Sequence, residues 1–274
     1  MSRRLAERKP WERGHLAHPV SAKATRRVGR VNRGNGVSDA AKQDSGDERW
    51  DEFFGWARRF ADWEDFDREE RNYKLDIAAK LRAVRDDLSA DPAHWQALLK
   101  AAFGGRNNLV IHYTHLPFQE WCAAEPARAS QALTSLWDPS RTATESMYAF
   151  LDIVSKDIAR GPGTLLNLVS CLHMAKSPKQ YPVYQSTPIR KARKITGYPP
   201  PHRDSDVPRV YQHTLGLFDR VVEEAARRGL QLRDRLEAQS LLWSVTTWRP
   251  DQTPIADWPE QDRRAIQRYR TGAE

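Results

Sequence analysis

Apolar residues recur at spacings of three and four along most of the chain from Trp50 onward, a pattern typical of amphipathic helices. In the stretch 67–88 they fall on one stripe, made of Tyr73, Ile77, Leu81, Val84 and Leu88. The same reasoning predicts helices over 50–63, 92–103, 127–137, 142–159, 164–175 and 260–270. Strand-like alternation is scarce, and 109–111 fits either a short strand or a buried helical turn. The predicted fold class is therefore mainly α, an irregular multi-helix domain.

The last third of the chain carries the clearest helix signals. Thr187 and Pro188 suit the N-cap and first turn of a short helix, and Gly197 suits its C-terminal end. The residues between them, IRKARKIT, are strongly basic. After a proline-rich connector, two further amphipathic stretches at 210–229 and 232–248 predict a helical hairpin.

The charge is distributed unevenly along the sequence. The net charge is +8, and residues 1–36 alone hold ten Lys or Arg against two Glu, so the remainder is neutral. Few large aliphatic residues occur there, which predicts a disordered basic tail at 1–47. Either a nonspecific anion-binding arm or a simple solvated extension explains such a tail. A helical domain at 48–248, with a candidate sub-boundary near residue 161, and a polar C-terminal extension at 249–274 complete the predicted organisation.

Several functional classes find no support in the sequence. Cys122 and Cys171 show no metal-ligand spacing and predict free buried thiols. No apolar stretch of membrane-spanning length occurs, so a cytoplasmic protein without membrane contact is expected. Phosphate-binding and hydrolase motifs are absent, and the pair His112 and His115 lacks a third ligand, so neither a metal nor a cofactor is expected.

A carboxylate arrangement typical of nucleases is also missing from the sequence. The acidic residues of the last third sit at helical positions that predict solvated faces: Glu223, Glu224, Asp234 and Glu237. A noncatalytic protein is therefore favoured.

The run YPVYQSTPIRKARKITGYPPPHR, residues 181–203, is the main candidate site. It has five Lys or Arg and no carboxylate. Basic residues one helical turn apart suit phosphate groups, and tyrosines either stack on bases or pin a loop to the core. The candidate nucleic-acid-binding residues are Lys176, Lys179, Tyr181, Tyr184, Arg190, Lys191, Arg193, Lys194, Tyr198 and Arg203.

Residues 109–247 resemble the helical region of bacterial McrB-like, AAA-type, modification-dependent restriction proteins. The resemblance is carried by HMAKSPKQYPVYQSTPIRKARKITGYPPP, by the long helix after it, and by RGLQLRDRLEAQSLLWSVT, with weaker support from FQEWCAAEPARASQALTSLWD. It implies a defence-related DNA-binding or adaptor role. The nucleotide-hydrolysing module of such proteins is missing from this sequence, which implies either that a separate AAA ATPase subunit supplies it or that the chain has lost that partnership.

Three hypotheses follow for the function. The first is a noncatalytic nucleic-acid-binding module of a restriction or antiphage system, with modified and single-stranded DNA both open as ligands. The second is a helical adaptor that contacts a separate AAA ATPase through surfaces rich in Trp. The third is a metal-dependent nuclease with an unfamiliar carboxylate arrangement.

Overall fold

A computed structural model describes residues 36–88, 94–105 and 107–272, with side chains from residue 47 onward. The chain divides into a unit at residues 1–40 and a unit at residues 41–274, and the second unit is described below. Its described part is built from α-helices without a β-strand, which confirms the mainly α prediction. The α-helices are α1 (Gly36–Ala61), α2 (Tyr73–Asp87), α3 (His94–Phe103), α4 (His112–Ala124), α5 (Pro126–Trp137), α6 (Ala143–Leu151), α7 (Pro162–His173), α8 (Ser186–Thr196), α9 (Val207–Arg227), α10 (Arg235–Thr247) and α11 (Glu260–Thr271).

The predicted stripe of α2 forms part of the core. Ile77, Leu81, Val84 and Leu88 are all buried, and Tyr73 is half-buried. They pack against α3, whose own core residues include Trp95 and Leu99. The predicted start of α3 at residue 92 and residues 1–35 of the predicted tail lie outside the described residues. Helix α1 begins at Gly36.

Helices α9 and α10 form the predicted hairpin, and α8 packs against α10. Asp206 caps α9 by accepting the backbone N–H of Arg209 at 3.2 Å, and Asp234 caps α10 by accepting that of Glu237 at 3.0 Å. Gly229 ends the α9 side of the turn with a φ of 74°, a left-handed conformation that glycine adopts without strain. The hairpin thus provides the support for the basic helix α8.

Three local features differ from the sequence predictions. Residues Asp67–Asn72 form a π-helical turn before α2, although the apolar stripe predicts a continuous α-helix. The helix expected over 142–159 ends at Leu151 and is followed by a short 3₁₀ turn at Lys156–Ile158. Residues 107–111 form neither of the two expected structures but an irregular segment, in which Asn107 accepts the backbone N–H of Leu109 at 2.9 Å.

The prediction of solvated faces is wrong for Glu224 and Glu237. Glu224 is fully buried, because Arg220, Arg227 and Arg228 surround its carboxylate. Arg228 also pairs with Asp51 of α1, so the carboxylate lies where α9 meets α1. Glu237 is 9% exposed, and its Oε2 lies 2.9 Å from Nε of Arg233. Such burial is tolerated because each carboxylate keeps ionic hydrogen bonds to arginines, which offset its charge.

Residues 249–272 pack onto the helical body. Ile255 and Ile266 are fully buried, and Trp258 stacks on Trp56 of α1 with ring centroids 5.9 Å apart. Arg59 of α1 pairs with Asp262 of α11 at 2.8 Å. The first and last described helices are therefore joined by both aromatic and ionic contacts.

Candidate nucleic-acid interface

Helix α8 has a buried face that fixes its orientation. Ile189, Ala192 and Thr196 are buried, and Ile195 is half-buried, as the helical spacing predicts. Gly197 ends the helix with a φ of 74°, which confirms the predicted C-terminal signal.

The N-terminal end of α8 lies slightly earlier than predicted. Gln185 occupies the N-cap position, so Thr187 does not cap the helix, and Pro188 falls in its first turn. A proline is tolerated there because the N–H groups of the first turn have no partner within the helix.

The outer face of α8 carries cations that the fold leaves unpaired. Arg190 and Lys194 are exposed and Arg193 is half-exposed. Among the described residues, none of the three has a carboxylate within 4.0 Å or a hydrogen bond to another group. We call Arg190, Arg193 and Lys194 the α8 patch.

Most arginines of the neighbouring helices behave differently. Arg235 binds Asp219 through two hydrogen bonds of 2.5 and 2.7 Å, and Arg71 binds Asp234 through bonds of 2.8 and 2.6 Å. Arg228 and Arg233 also pair with carboxylates. The α8 patch is therefore a local concentration of uncompensated positive charge.

Further cations border the α8 patch and increase its positive potential. Lys191 is half-buried and donates a hydrogen bond to the carbonyl of Thr246 at 3.1 Å. Burial lowers its pKa, and the nearby charges of Arg270 and Arg190 lower it further. The guanidinium of Arg49, on α1, lies against Gly197 at the end of α8. Neither Arg49 nor Arg270 was predicted, because both lie on helices far from α8 in the chain.

The charges of the α8 patch also act on the pKa values of two aromatic groups, Tyr184 and His213. Tyr184 is only 8% exposed, and its pKa is raised by burial although Arg193 and Arg190 act in the opposite direction. The ring of His213, on α9, lies at 5.2 Å from that of Tyr198 in an edge-to-face contact. The pKa of His213 is lowered, first by burial and then by Arg193. Positive charge thus dominates the electrostatics on this side of α8.

The remaining candidate residues do not join the α8 patch through any described contact. Lys176 donates hydrogen bonds to the carbonyls of Asp138 and Arg141, at 2.7 and 2.9 Å, and so closes the turn after α5. Tyr181 packs against the buried ring of His173, with centroids 4.6 Å apart. Both groups therefore have structural contacts within the fold.

Lys179 is exposed and lines a shallow pocket that also contains Asp219, Glu223 and Asp234, so its surroundings are of mixed charge. Tyr198 is half-buried beside Gly216, and Arg203 is exposed in the connector between α8 and α9. Of the ten sequence candidates, the structure thus brings together the four cations of α8 and Tyr184.

The two histidines of α4 are involved in local packing. His115 stacks on Phe103 with ring centroids 5.0 Å apart and hydrogen-bonds Gln119, while His112 lies edge-on to it at 5.5 Å. Within the described ranges, no group of three or more His, Cys, Asp or Glu side chains is arranged to hold a metal ion. Cys122 and Cys171 are free and buried, as predicted.

Comparisons with protein-family models, with curated proteins and with solved structures found no match for this chain. Within the described part of the chain, no helix is both long and apolar enough to cross a membrane.

Proposed function

We propose that this protein binds DNA through its phosphate backbone, with the α8 patch as the main contact. The observation that supports this proposal is that three cations on one helical face lack protein partners in a fold that pairs most of its neighbouring arginines. Cations that neutralise phosphates release condensed counterions, which provides most of the affinity of backbone binding. A bound phosphate would also relieve the repulsion between the cations around Lys191.

The aromatic residues near the α8 patch favour a positioning role over base recognition. Tyr184 is too deeply buried to offer a stacking face, and Tyr198 already contacts His213. Phosphate contacts position a protein on nucleic acid but carry little sequence information. We therefore expect binding that depends strongly on salt and weakly on sequence.

The biological setting of the proposal rests on the sequence resemblance to McrB-like proteins. On this basis we propose that the chain works in the cytoplasm, in a bacterial restriction or antiphage system, as a noncatalytic module with a separate AAA ATPase subunit.

The test is fluorescence anisotropy with labelled single-stranded and double-stranded DNA over a salt series. The key variant carries Arg190→Ala, Arg193→Ala and Lys194→Ala. A matched control carries Lys80→Ala, Arg82→Ala and Lys100→Ala, which removes the same charge from residues that also lack a described ion pair. A chain that begins at Gly36 separates the basic N-terminal residues from the body while keeping α1 whole.

We expect the α8 variant to lose at least about tenfold in affinity and the slope of log K against log salt to fall by about 2 to 3, since each phosphate contact contributes about 0.9. The control variant should bind nearly as the unmodified protein does. Equal losses in the two variants, or binding that disappears with residues 1–35 alone, would show that α8 is not the interface.

A second candidate function is the adaptor role, and it is favoured by exposed apolar residues at the start of α4. Ile111 is 50% exposed and Tyr113 is 55% exposed, whereas the tryptophans of the described residues are buried or half-buried. Two large apolar side chains exposed at neighbouring positions favour a protein contact. Loss of co-purification with an AAA ATPase subunit in an Ile111→Ser, Tyr113→Ser variant, with DNA binding unchanged, would support this role.

A further inference from the structure

A large pocket lies between the π-helical turn and the end of α10. Its volume is about 920 Å³. Its aromatic walls are Trp63, Tyr73, Trp243 and Trp248, and its polar lining includes Glu70 and Gln185. The whole lining comes from four separate segments of the chain, at 63–73, 108, 185 and 243–253, so no short sequence motif predicts the pocket.

The aromatic walls are held in place by contacts within the protein. Trp248 donates its indole N–H to the carbonyl of Thr253 at 2.9 Å, so this ring is fixed at its polar edge. Trp63 meets it edge to face, with centroids 5.7 Å apart. Trp63, Trp243 and Trp248 are each half-buried and therefore keep part of their surface open to the pocket.

The polar groups of the pocket have bonding capacity that the protein does not use. Glu70 is only 3% exposed, and its Oε2 accepts the ammonium of Lys74 at 2.9 Å, while Oε1 has no protein partner within the described residues. Gln185 accepts a hydrogen bond from Gln239 at 3.2 Å through its side-chain oxygen, which leaves the amide nitrogen without a described partner. Both atoms are therefore available to a polar ligand, the carboxylate oxygen as an acceptor and the amide nitrogen as a donor.

Lys74 fixes the position of Glu70. Its ammonium donates to Glu70, to the side-chain oxygen of Gln239 at 2.8 Å and to the hydroxyl of Ser240 at 2.9 Å, so its three N–H groups are all used. Glu70 lines the pocket, and its carboxylate is thus anchored there by an ammonium that has no further N–H group to donate. π-Helical turns such as the one that carries Glu70 are frequent at functional sites.

Carboxylates exceed cations around this pocket, in contrast to the α8 patch. The lining and its directly paired groups comprise the carboxylates of Asp65, Glu69, Glu70 and Asp251 and the cations of Arg68, Lys74 and Arg249. A pocket that combines aromatic faces with a fixed carboxylate oxygen is suited to an organic cation, because the ring faces attract positive charge and the carboxylate accepts an N–H.

We propose that this pocket binds an alkylammonium group, with one N–H donated to Oε1 of Glu70 and the adjoining methylenes packed on the tryptophans. The proposal does not depend on DNA binding by α8. Two sources share this chemistry, namely a free polyamine and the side chain of a lysine in a partner.

The experiment is isothermal titration calorimetry of the full chain, with tryptophan fluorescence as a second signal. The probes are butylammonium, its neutral analogue 1-butanol, spermidine, and N-acetyl-lysine methylamide. We expect saturable binding of butylammonium. The neutral 1-butanol lacks the positive charge that the rings and the carboxylate attract, so it should bind at least about tenfold more weakly, a difference of about 1.4 kcal/mol. Spermidine and the lysine amide then distinguish the free amine from the lysine side chain.

Variants locate the binding. Trp243→Leu and Glu70→Gln should each weaken butylammonium binding at least about tenfold, whereas Glu69→Gln, which alters an exposed carboxylate at the pocket rim, should change it less than about twofold. Because Glu70→Gln also alters the buried pair with Lys74, Trp243→Leu decides the matter if Glu70→Gln does not fold. Equal binding of butylammonium and 1-butanol, no saturable binding of any amine, or unchanged binding by Trp243→Leu would overturn the proposal.

Discussion

At the residue scale, the buried polar groups show that sequence spacing predicts an ion pair but not its burial. Glu70 and Lys74 lie four residues apart, a spacing that predicts an ion pair on one helix face. The spacing does not reveal that both are buried, because Gln239 and Ser240 come from α10, far away in sequence. Glu224 shows the same limit, since Arg228, which pairs with its carboxylate, also pairs with Asp51 of the distant helix α1.

The buried ring of His173 makes the stability of the folded protein depend on pH. Its ring is fully buried, and neither nitrogen has a hydrogen-bond partner within the described residues. Burial, aided by Lys176, lowers its pKa from 6.5 to about 3. The unfolded chain therefore binds a proton below about pH 6.5 that the folded protein does not, so stability falls as the pH falls toward the folded pKa.

We predict that His173→Phe, which keeps a flat ring beside Tyr181, gains stability over the unmodified protein as the pH is lowered. The difference should grow by about 1.4 kcal/mol per pH unit below about pH 6.5. Urea unfolding from about pH 7 to about pH 4 measures it, and His202→Phe, at an exposed position, is the control. A difference that stays constant with pH would contradict the assigned burial of His173.

At the scale of the elements, helix ends were predicted well where a single residue type decides them. Gly197 and Gly229 end their helices in the left-handed conformation that glycine favours. The start of α8 lies two residues earlier than predicted, with Gln185 in place of Thr187 at the N-cap. The π-helical turn at Asp67–Asn72 was not predicted, because an apolar stripe does not distinguish a π turn from an α turn at so short a length. The cations of α8 were likewise predicted as a group, while their lack of ion-pair partners became apparent only from tertiary contacts.

Arg270 joins two helices and gives a prediction at this scale. Its guanidinium, on α11, donates hydrogen bonds to the carbonyls of Ser244, Val245 and Trp248 at 2.7, 2.6 and 2.7 Å. These carbonyls lie in the last turn and the C-cap of α10, where the helix dipole favours positive charge. Burial lowers the pKa of Arg270 to about 10.

We predict that Arg270→Ala lowers the free energy of unfolding by about 2 to 4 kcal/mol, because hydrogen bonds from a charged donor are each worth about 1.5 to 3 kcal/mol and act here as a group. Thermal and urea unfolding measure the effect. Arg268→Ala, on an exposed side of the same helix turn, should change stability by less than about 0.5 kcal/mol. Similar losses in both variants would mean that the contacts of Arg270 contribute little.

At the scale of the whole molecule, sequence analysis predicted the helical class and the neutral charge of the body but not how distant segments meet. Residues 249–274 read as a polar extension because Ile255 and Ile266 are isolated among polar residues. In the structure both are buried, and the adjoining Trp258 and Tyr269 contact Trp56 of α1. The aromatic pocket was missed for the same reason, since its walls are assembled from distant segments.

Binding at α8 should be linked to a proton on α9. In the free protein the charge of Arg193 contributes to the lowered pKa of His213, so a phosphate held by Arg193 should raise that pKa. The complex then takes up a proton more readily than the free protein, and DNA affinity should increase as the pH falls from about 8 to about 5.5. Anisotropy titrations at constant salt measure this, and His213→Gln should flatten the pH dependence. An unchanged pH slope in that variant would contradict the linkage.

The contact between α1 and α11 has a consequence for synthesis on the ribosome. Trp56 leaves the exit tunnel early, whereas its partners Trp258 and Tyr269 emerge only after some two hundred further residues. Pairings of such sequence separation slow folding because a long loop must close before they form. The aromatic face of α1 is therefore exposed throughout translation of the body, and this face is the part of the nascent chain where a chaperone would first be needed.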